Sequence, residues 1–523
     1  QQPQFPSTRS VRKIRVVKHQ LTTFGRGGKI FGWMLSILAK KEKTGALDRE
    51  LPFAAMMFTL MAASGITLYE SWKKMLGVNL LPTVQRDAQD MVRQVEVLGR
   101  DPLAVMYKKA EKTPSKPYRD FLAGYVSAVR SGGNVVSFLR SKLRSIFEVQ
   151  SAASIRSIEK LGTLVEAYAV LLIVTLCTYI LYVVMSATSF MDLLQTGRAS
   201  GAAGPEPSVY LLILLAIPAV SILFMAVAHM ARKSNLINVM PLYRQAVLFV
   251  IGASVFFLLV IFVPQLQSAT EVVGLPLIVT VCLVVVSLPS AWSYRKIAKT
   301  NFAAEEAMPS FLRDVTEARK IGLSPEKSII HASKRTGYGR FSELLGLVRS
   351  QIEWGISLKK IFANIRKKIQ SWPVLIHFFI LVETIEIGGG SPDALEILAE
   401  YSEKNRDTEK NKRSMLMPYV ILSFVWSVLI AFTTTIVALT IYILAQISLP
   451  GLPTATFAAM QHQISLFSIG IIFQCWMSGF FVGKISEGSF AAGFKYSALL
   501  AITAYVSLVL SQNFLGSFYK APV

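Results

Sequence analysis

The fold class this sequence predicts is all-α: a polytopic membrane protein with two repeated cytoplasmic helical-bundle domains and about seven transmembrane helices. Three observations carry that prediction. The chain of 523 residues is 52% hydrophobic, with several apolar runs of the roughly 20 residues a bilayer requires. Its charge is segregated: residues 1–161 hold 27 basic and 12 acidic side chains, residues 293–414 hold 21 and 15, and only seven basic residues lie elsewhere. One sequence pattern also occurs twice at a constant offset, the mark of an internal duplication.

Residues 1–45 form a basic N-terminal arm. Its start, QQPQFPSTRSVRKIRVVKHQ, has no apolar core after its charges and does not read as a signal peptide. The short run Ile30–Ala39 falls below bilayer length and suits an interfacial helix or a loose arm.

Residues 46–161 are the first cytoplasmic bundle. Leu51–Tyr69 is apolar enough to suggest a span, but the repeat argues against lipid. Leu51-Pro52 matches Met308-Pro309, Gly65-Ile66-Thr67 matches Gly322-Leu323-Ser324, and Gly132-Gly133-Asn134 matches Gly389-Gly390-Ser391, all 257 residues apart. The second copy carries Arg313, Asp314, Glu317, Arg319 and Lys320 where the first is apolar, so this helix does not need lipid in both copies. A proline is expected to open the first helix of each copy and a glycine to close it. Thr67 with Glu70, and Ser324 with Pro325 and Glu326, then cap the next helix.

Residues 162–292 hold four apolar runs, 162–185, 208–230, 245–267 and 272–292. Residues 293–414 are the second bundle, and residues 415–523 hold three more runs, 415–445, 464–483 and 496–516. Four spans are an even number, so both bundles fall on one face, and the Lys and Arg excess makes that face cytoplasmic. The N-terminus is then inside and the C-terminus outside, in the plasma membrane. Gly388, Gly389 and Gly390 break one helix. Ser391 and Pro392 start another that runs without Gly or Pro to Pro418, a charged rod that passes directly into an apolar run. The first copy has the same rod after Asn134. Gly65, Gly132, Gly133, Gly322, Gly388, Gly389 and Gly390 are therefore the candidate structural hinges.

Little in the sequence points to catalysis, and no cofactor is expected. His19, His229, His331, His377 and His462 lie on separate elements without metal-ligand spacing, and Cys177, Cys282 and Cys475 sit in three different apolar runs, as packing residues do. Gly25-Arg26-Gly27-Gly28-Lys29 lacks the spacing of a phosphate loop, and Lys29 precedes Ile30 rather than Ser or Thr. Glu166 and Glu271, near span edges, are the only hint of a proton path. Basic clusters are the remaining surface: Lys108, Lys109, Lys112 and Lys116 in the first copy, and Lys359, Lys360, Arg366, Lys367 and Lys368 on one helical face in the second. They suit an acidic protein partner or anionic lipid headgroups, and they lack the aromatic and motif features of nucleic-acid binders. A secondary transporter or another multi-span scaffold is the rival reading, since repeated halves are common in transporters. The detectable repeat, however, lies in the soluble part.

With their double-glycine breaks and charged rods, LPFAAMMFTLMAASGIT and MPSFLRDVTEARKIGLS resemble the type II secretion F-domain family. The turn Gly483–Ser497, GKISEGSFAAGFKYS, resembles the family's archaeal branch, which serves archaella and adhesion pili. The similarity covers residues 46–523. It implies a non-catalytic membrane platform for a type IV pilus-like filament, a homodimer whose cytoplasmic domains dock a hexameric secretion ATPase and whose spans meet pilin-like subunits. The family's usual Gly-Glu before its glycine break stands here as Glu386-Ile387-Gly388, so the resemblance gives Glu386 no role.

Overall fold

The computed structural model describes residues 26–196, 217–232, 236, 240–262, 274–448 and 454–520, and their regular structure is helical. Contacts divide the chain into two compact units, Gln1–Ala152 with Phe379–Leu398, and Ala153–Phe378 with Ala399–Val523.

The first repeat is six helices: α1 (Arg26–Ala63), α2 (Leu68–Met75), α3 (Pro82–Glu96), α4 (Pro102–Lys112), α5 (Lys116–Arg130) and α6 (Val135–Thr196). Two expectations about its start are corrected. Pro52 lies inside α1 instead of opening it, and α1 runs unbroken through residue 45, so Ile30–Ala39 is part of a long helix. A proline removes one hydrogen bond and crowds the preceding turn, and a helix buried around it, as α1 is from Glu50 to Met61, outlasts that loss.

Every residue from Glu50 to Met61 is buried, as expected of a helix that is apolar all round. Phe58 meets Trp72 with ring centroids 4.5 Å apart and Phe121 at 5.9 Å. On the same helix Met57, Leu60 and Met61 share a cleft with Ile380, Thr384 and Ile387. This explains why the two copies differ in polarity. The counterparts of Met57 and Leu60, 257 residues on, are Asp314 and Glu317, and Asp314 is buried against polar partners, Arg335 and Tyr338, instead of an apolar cleft.

Buried Glu50 accepts hydrogen bonds from the backbone N–H groups of Thr83 and Val84, at 2.8 and 2.9 Å, and so caps the start of α3. Burial raises its pKa above the usual glutamate value, while those same N–H donors pull it down.

α7 (Ile217–Ala231) and α8 (Met240–Phe262), both in the second unit, precede the second repeat, whose residues Phe379–Leu398 belong to the first unit. That repeat is α9 (Leu275–Lys320), α10 (Pro325–Ser333), α11 (Phe341–Glu353), α12 (Leu358–Lys368), α13 (Trp372–Gly388) and α14 (Pro392–Ser448). Pro309 also lies inside its helix, the same correction as for Pro52. The chain closes with α15 (Thr454–Glu487) and α16 (Phe490–Lys520). Phe311 anchors the second core, with Tyr338, Phe341 and Phe378 at 6.2, 6.2 and 6.4 Å. Asp314 accepts from Arg335 and Tyr338.

Among the described residues, five helices are long and apolar enough to cross a membrane: α6, α9, α14, α15 and α16. Two shorter apolar helices, α7 and α8, coincide with the second and third expected runs. The boundaries at 162, 293 and 415 fall inside α6, α9 and α14, so water-soluble and apolar stretches share single rods. At 1.5 Å per residue the 62 residues of α6 extend for roughly 90 Å. Polar groups in the apolar bundle pair with one another. Tyr168 and Ser478 are 2.8 Å apart, Gln474 donates to Ser221 at 2.9 Å, and Trp476 donates to Ser287 at 2.8 Å.

His377 is buried in α13, its Nδ1–H donating to the Pro373 carbonyl at 2.6 Å. Burial lowers its pKa to about 4. A neutral folded-state imidazole means that unfolding takes up a proton between about pH 6.5 and 4, so stability falls as pH drops through that window and levels off below it. The expected loss is about 3 kcal/mol. Thermal unfolding of the protein across that window checks this, and His377→Leu is expected to flatten the slope.

Candidate functional site

Short turns join successive helices within each repeat, so neighbouring helices run antiparallel and each bundle has two ends. In the second repeat the apolar part of α9 is its N-terminal part and that of α14 is its C-terminal part. The turns at Gly322 and Gly355 are therefore farthest from the membrane. The turns at 334–340 and 369–371 face it. By the same alternation the first repeat has Gly65, Gly99 and Gly132 at its distal end and residues 113–115 at its proximal end.

Five of the seven candidate hinge glycines, Gly65, Gly132, Gly322, Gly389 and Gly390, have left-handed backbone with φ between 63° and 90°. That conformation is one side chains resist. Gly388 closes α13, and Gly133 is not among the positive-φ residues. The pair Gly99 and Gly355 shares the conformation, at 61° and 72°, although its offset is 256 rather than the 257 of the other matched positions. Asn134 caps α6 by accepting from the Ser137 N–H at 3.0 Å. α14 starts at Pro392, as expected.

The basic residues divide between the two ends. α12 descends from the Gly355 turn, so Lys359 and Lys360 sit at its distal start while Arg366, Lys367 and Lys368 form its last turn. About 12 Å of helix separates Lys360 from Lys368. Leu358, Ile361 and Ile365 are buried on the opposite face. Trp354 and Ile321, 79% and 74% exposed, occupy the distal turns beside Lys359 and Lys320. In the first repeat Lys108, Lys112 and Lys116 are exposed. Lys109 is committed elsewhere, 2.8 Å from Asp87 and 3.2 Å from Asp90. Burial works against its charge, but the two carboxylates outweigh burial and raise its pKa.

At the proximal ends the structure shows a matched device that the sequence reading missed. Ser115 donates to Asp48 in the first repeat, and Ser371 donates to Glu305 at 2.6 Å in the second. In each case the turn before the fifth helix is tied to a carboxylate on the first. The second repeat adds more. Asn301 accepts from the N–H groups of Gln370 and Ser371 at 2.9 and 3.0 Å. Arg413 of α14 reaches Glu305 at 3.0 Å and lies 3.8 Å over the Phe302 ring. Ser371 also forms an isolated antiparallel bridge with Leu236, between α7 and α8. The second bundle's base is thereby fastened to the loop joining two apolar helices.

The turn between α15 and α16 is equally polar. Lys484 is 1% exposed and donates to the Gly488 carbonyl at 2.8 Å, Arg232 donates to the Ile485 carbonyl, and Glu487 accepts from Tyr294 and Tyr496 at 3.0 and 3.1 Å. Glu166 is exposed on α6, and Glu271 lies outside the described residues. Among the described residues, no three His, Cys, Asp or Glu side chains gather as a metal site would.

A profile of the type II secretion system (T2SS) protein F family matches the chain twice, over residues 53–183 and 311–439. An uncharacterized protein of Methanocaldococcus jannaschii is 21% identical over 506 residues, spanning 91% of this chain and 82% of that protein. No solved structure matches it significantly. The family forms the membrane platform of type II secretion and type IV pilus systems. The two profile matches fall on the two copies of one six-helix unit, each continuing into an apolar helix, and the chain belongs to the type II secretion system protein F family.

Proposed function

We propose that this protein is the integral membrane platform on which a type IV pilus-like filament, an archaellum or an adhesion pilus, is assembled. In this reading a cytoplasmic hexameric secretion ATPase docks on the distal ends of the bundles, and the rods α6 and α14 carry its motion to pilin subunits in the bilayer. The carrying observation is the distal end of the second bundle. Two large apolar side chains, Trp354 and Ile321, stand exposed there with Lys359 and Lys360 nearby, and apolar anchors within a charged rim are the usual anatomy of a protein interface. The segregated charge supports placing both bundles in the cytoplasm.

The test is co-purification with a secretion ATPase expressed together with the full chain. Lys359→Glu with Lys360→Glu places like charges against an acidic partner, a penalty of several kcal/mol, and is expected to abolish co-purification while the protein still folds. Lys367→Glu with Lys368→Glu, at the other end of the same helix, is expected to leave it intact. Undiminished binding by the distal variant would remove those lysines from the interface.

A further inference from the structure

We propose that the membrane-facing rim of the second bundle is a binding site for the headgroup phosphates of anionic phospholipid, formed by Arg244 of α8, Arg295, Lys296 and Lys299 of α9, and Lys367 and Lys368 of α12. The inference rests on the membrane placement of these helices and not on filament assembly.

Three contacts bring these residues to one level. The Ser293 hydroxyl donates to Gln245 at 3.1 Å, which sets Arg244 beside the stretch of α9 that carries Arg295 and Lys296. Asn301 holds the turn at Gln370 and Ser371, which sets Lys367 and Lys368 against the next two turns of α9. The Leu236–Ser371 bridge then fixes that turn to the loop between two apolar helices. Ser293 to Asn301 spans about 12 Å of helix, enough to cover the roughly 5–8 Å headgroup layer on one side of a bilayer and the water just beyond it. At the lower edge of this band Trp292 is 74% exposed, where an aromatic ring at a membrane–water boundary is favoured.

The six cations are exposed, and the carboxylates at this level are already engaged. Glu305 is held by Ser371 and Arg413, and Glu487 by Tyr294, Tyr496 and Lys495. Glu409, beside Glu305, pairs with Lys412 at 2.7 Å, and exposed Glu306, next to Glu305 at the upper edge of the band, is outnumbered by the six cations. The protein therefore leaves an excess of positive charge at headgroup depth on a rigidly tied surface. Bilayer phosphates are the anions that are always present there. Lys367 and Lys368 also end α12, so its C-terminal dipole already favours them at that point. Dipole pairing alone does not account for Arg295, Lys296 and Lys299, which are in the middle of α9.

The experiment uses the full chain in nanodiscs of phosphatidylcholine, with and without phosphatidylglycerol, read by thermal unfolding and by native mass spectrometry of retained lipid. Phosphatidylglycerol is expected to raise the unfolding temperature and to remain bound. Each cation near an anionic surface contributes roughly fivefold to binding, so Lys367→Gln with Lys368→Gln is expected to weaken retention by about 25-fold. Adding Arg295→Gln and Lys296→Gln is expected to remove the thermal shift, with unfolding in phosphatidylcholine alone unchanged as the control for folding. Lys359→Gln with Lys360→Gln, at the distal end, is expected to keep the full shift. A shift that survives the four-residue rim variant, that vanishes in the distal variant, or that free glycerol phosphate reproduces would overturn the proposal.

Discussion

Gly483→Val is expected to prevent α15 and α16 from packing and to leave little protein that survives detergent extraction as a monodisperse species. A Cβ at Gly483 would lie 2.3 Å from the Cα and N of Gly493 and 2.8 Å from the carbonyl carbon of Ala492. All three are backbone atoms, so no rotamer change relieves the clash and the helices must separate. Gly479 faces the same constraint, with its Cβ 2.3 Å from the Cα and N of Ser497. Separating the helices would also open the bundle that Cys475, Phe481, Ala501 and Ala504 fill. In a membrane, association depends on close packing and buried polar pairs rather than on expulsion from water, so lost contact is not recovered elsewhere. Even in ordinary cores overpacking is destabilising by about 1–3 kcal/mol, and here the obstacle is main chain. Gly252→Ala in α8 is the matched control. No atom lies within 4 Å of its added Cβ, and its extraction profile and unfolding temperature are expected to match the wild type.

These glycines also show which parts of the molecule were legible in the sequence. Local signals were read directly, because they depend on residues adjacent in the chain. They include the caps at Thr67 and Ser324, the breaks at Gly65 and Gly322, and the fresh start at Pro392. The duplication was legible because Pro52 and Pro309, and Gly132 and Gly389, keep one spacing. Where the spacing slips by a residue, as between Gly99 and Gly355, the match was lost. Pro52 and Pro309 suggest helix openings because proline disfavours a helix interior locally, whereas packing over a long rod outweighs that preference. The apolar character of Leu51–Met61 had no local explanation at all. Phe58 is buried on Trp72 and Phe121, and Met57, Leu60 and Met61 meet Ile380, Thr384 and Ile387, more than three hundred residues away. Helical periodicity reports a face, so in the sequence the basic cluster on α12 is one patch. Which end of that face lies near the membrane depends on the antiparallel order of the bundle.

The second large effect is expected at Asn301. Asn301→Ala leaves the Gln370 and Ser371 N–H groups without their acceptor, and Ser371 is fully buried. An orphaned buried donor costs about 1–3 kcal/mol, so the turn that holds the second bundle to the Leu236 loop is expected to loosen before the bundle itself melts. Hydrogen exchange at residues 369–375 is expected to speed up well beyond that in α10 and α11, whose Phe311-centred core the substitution does not touch. Asn301→Asp separates the cause from simple loss of volume. An aspartate still accepts both N–H bonds and gives up only the donation to the Ile297 carbonyl, 2.8 Å in the native protein, so most of the protection is expected to return. Equal loosening in both variants would move the effect from these two hydrogen bonds to packing. Within the proposed function the same pair has a mechanical consequence. Docking depends on the distal Lys359 and Lys360, whereas passing motion into the bilayer depends on a base that does not yield. Asn301→Ala is therefore expected to retain the ATPase in co-purification while filament assembly falls, a combination that a defect in docking or in overall folding would not produce.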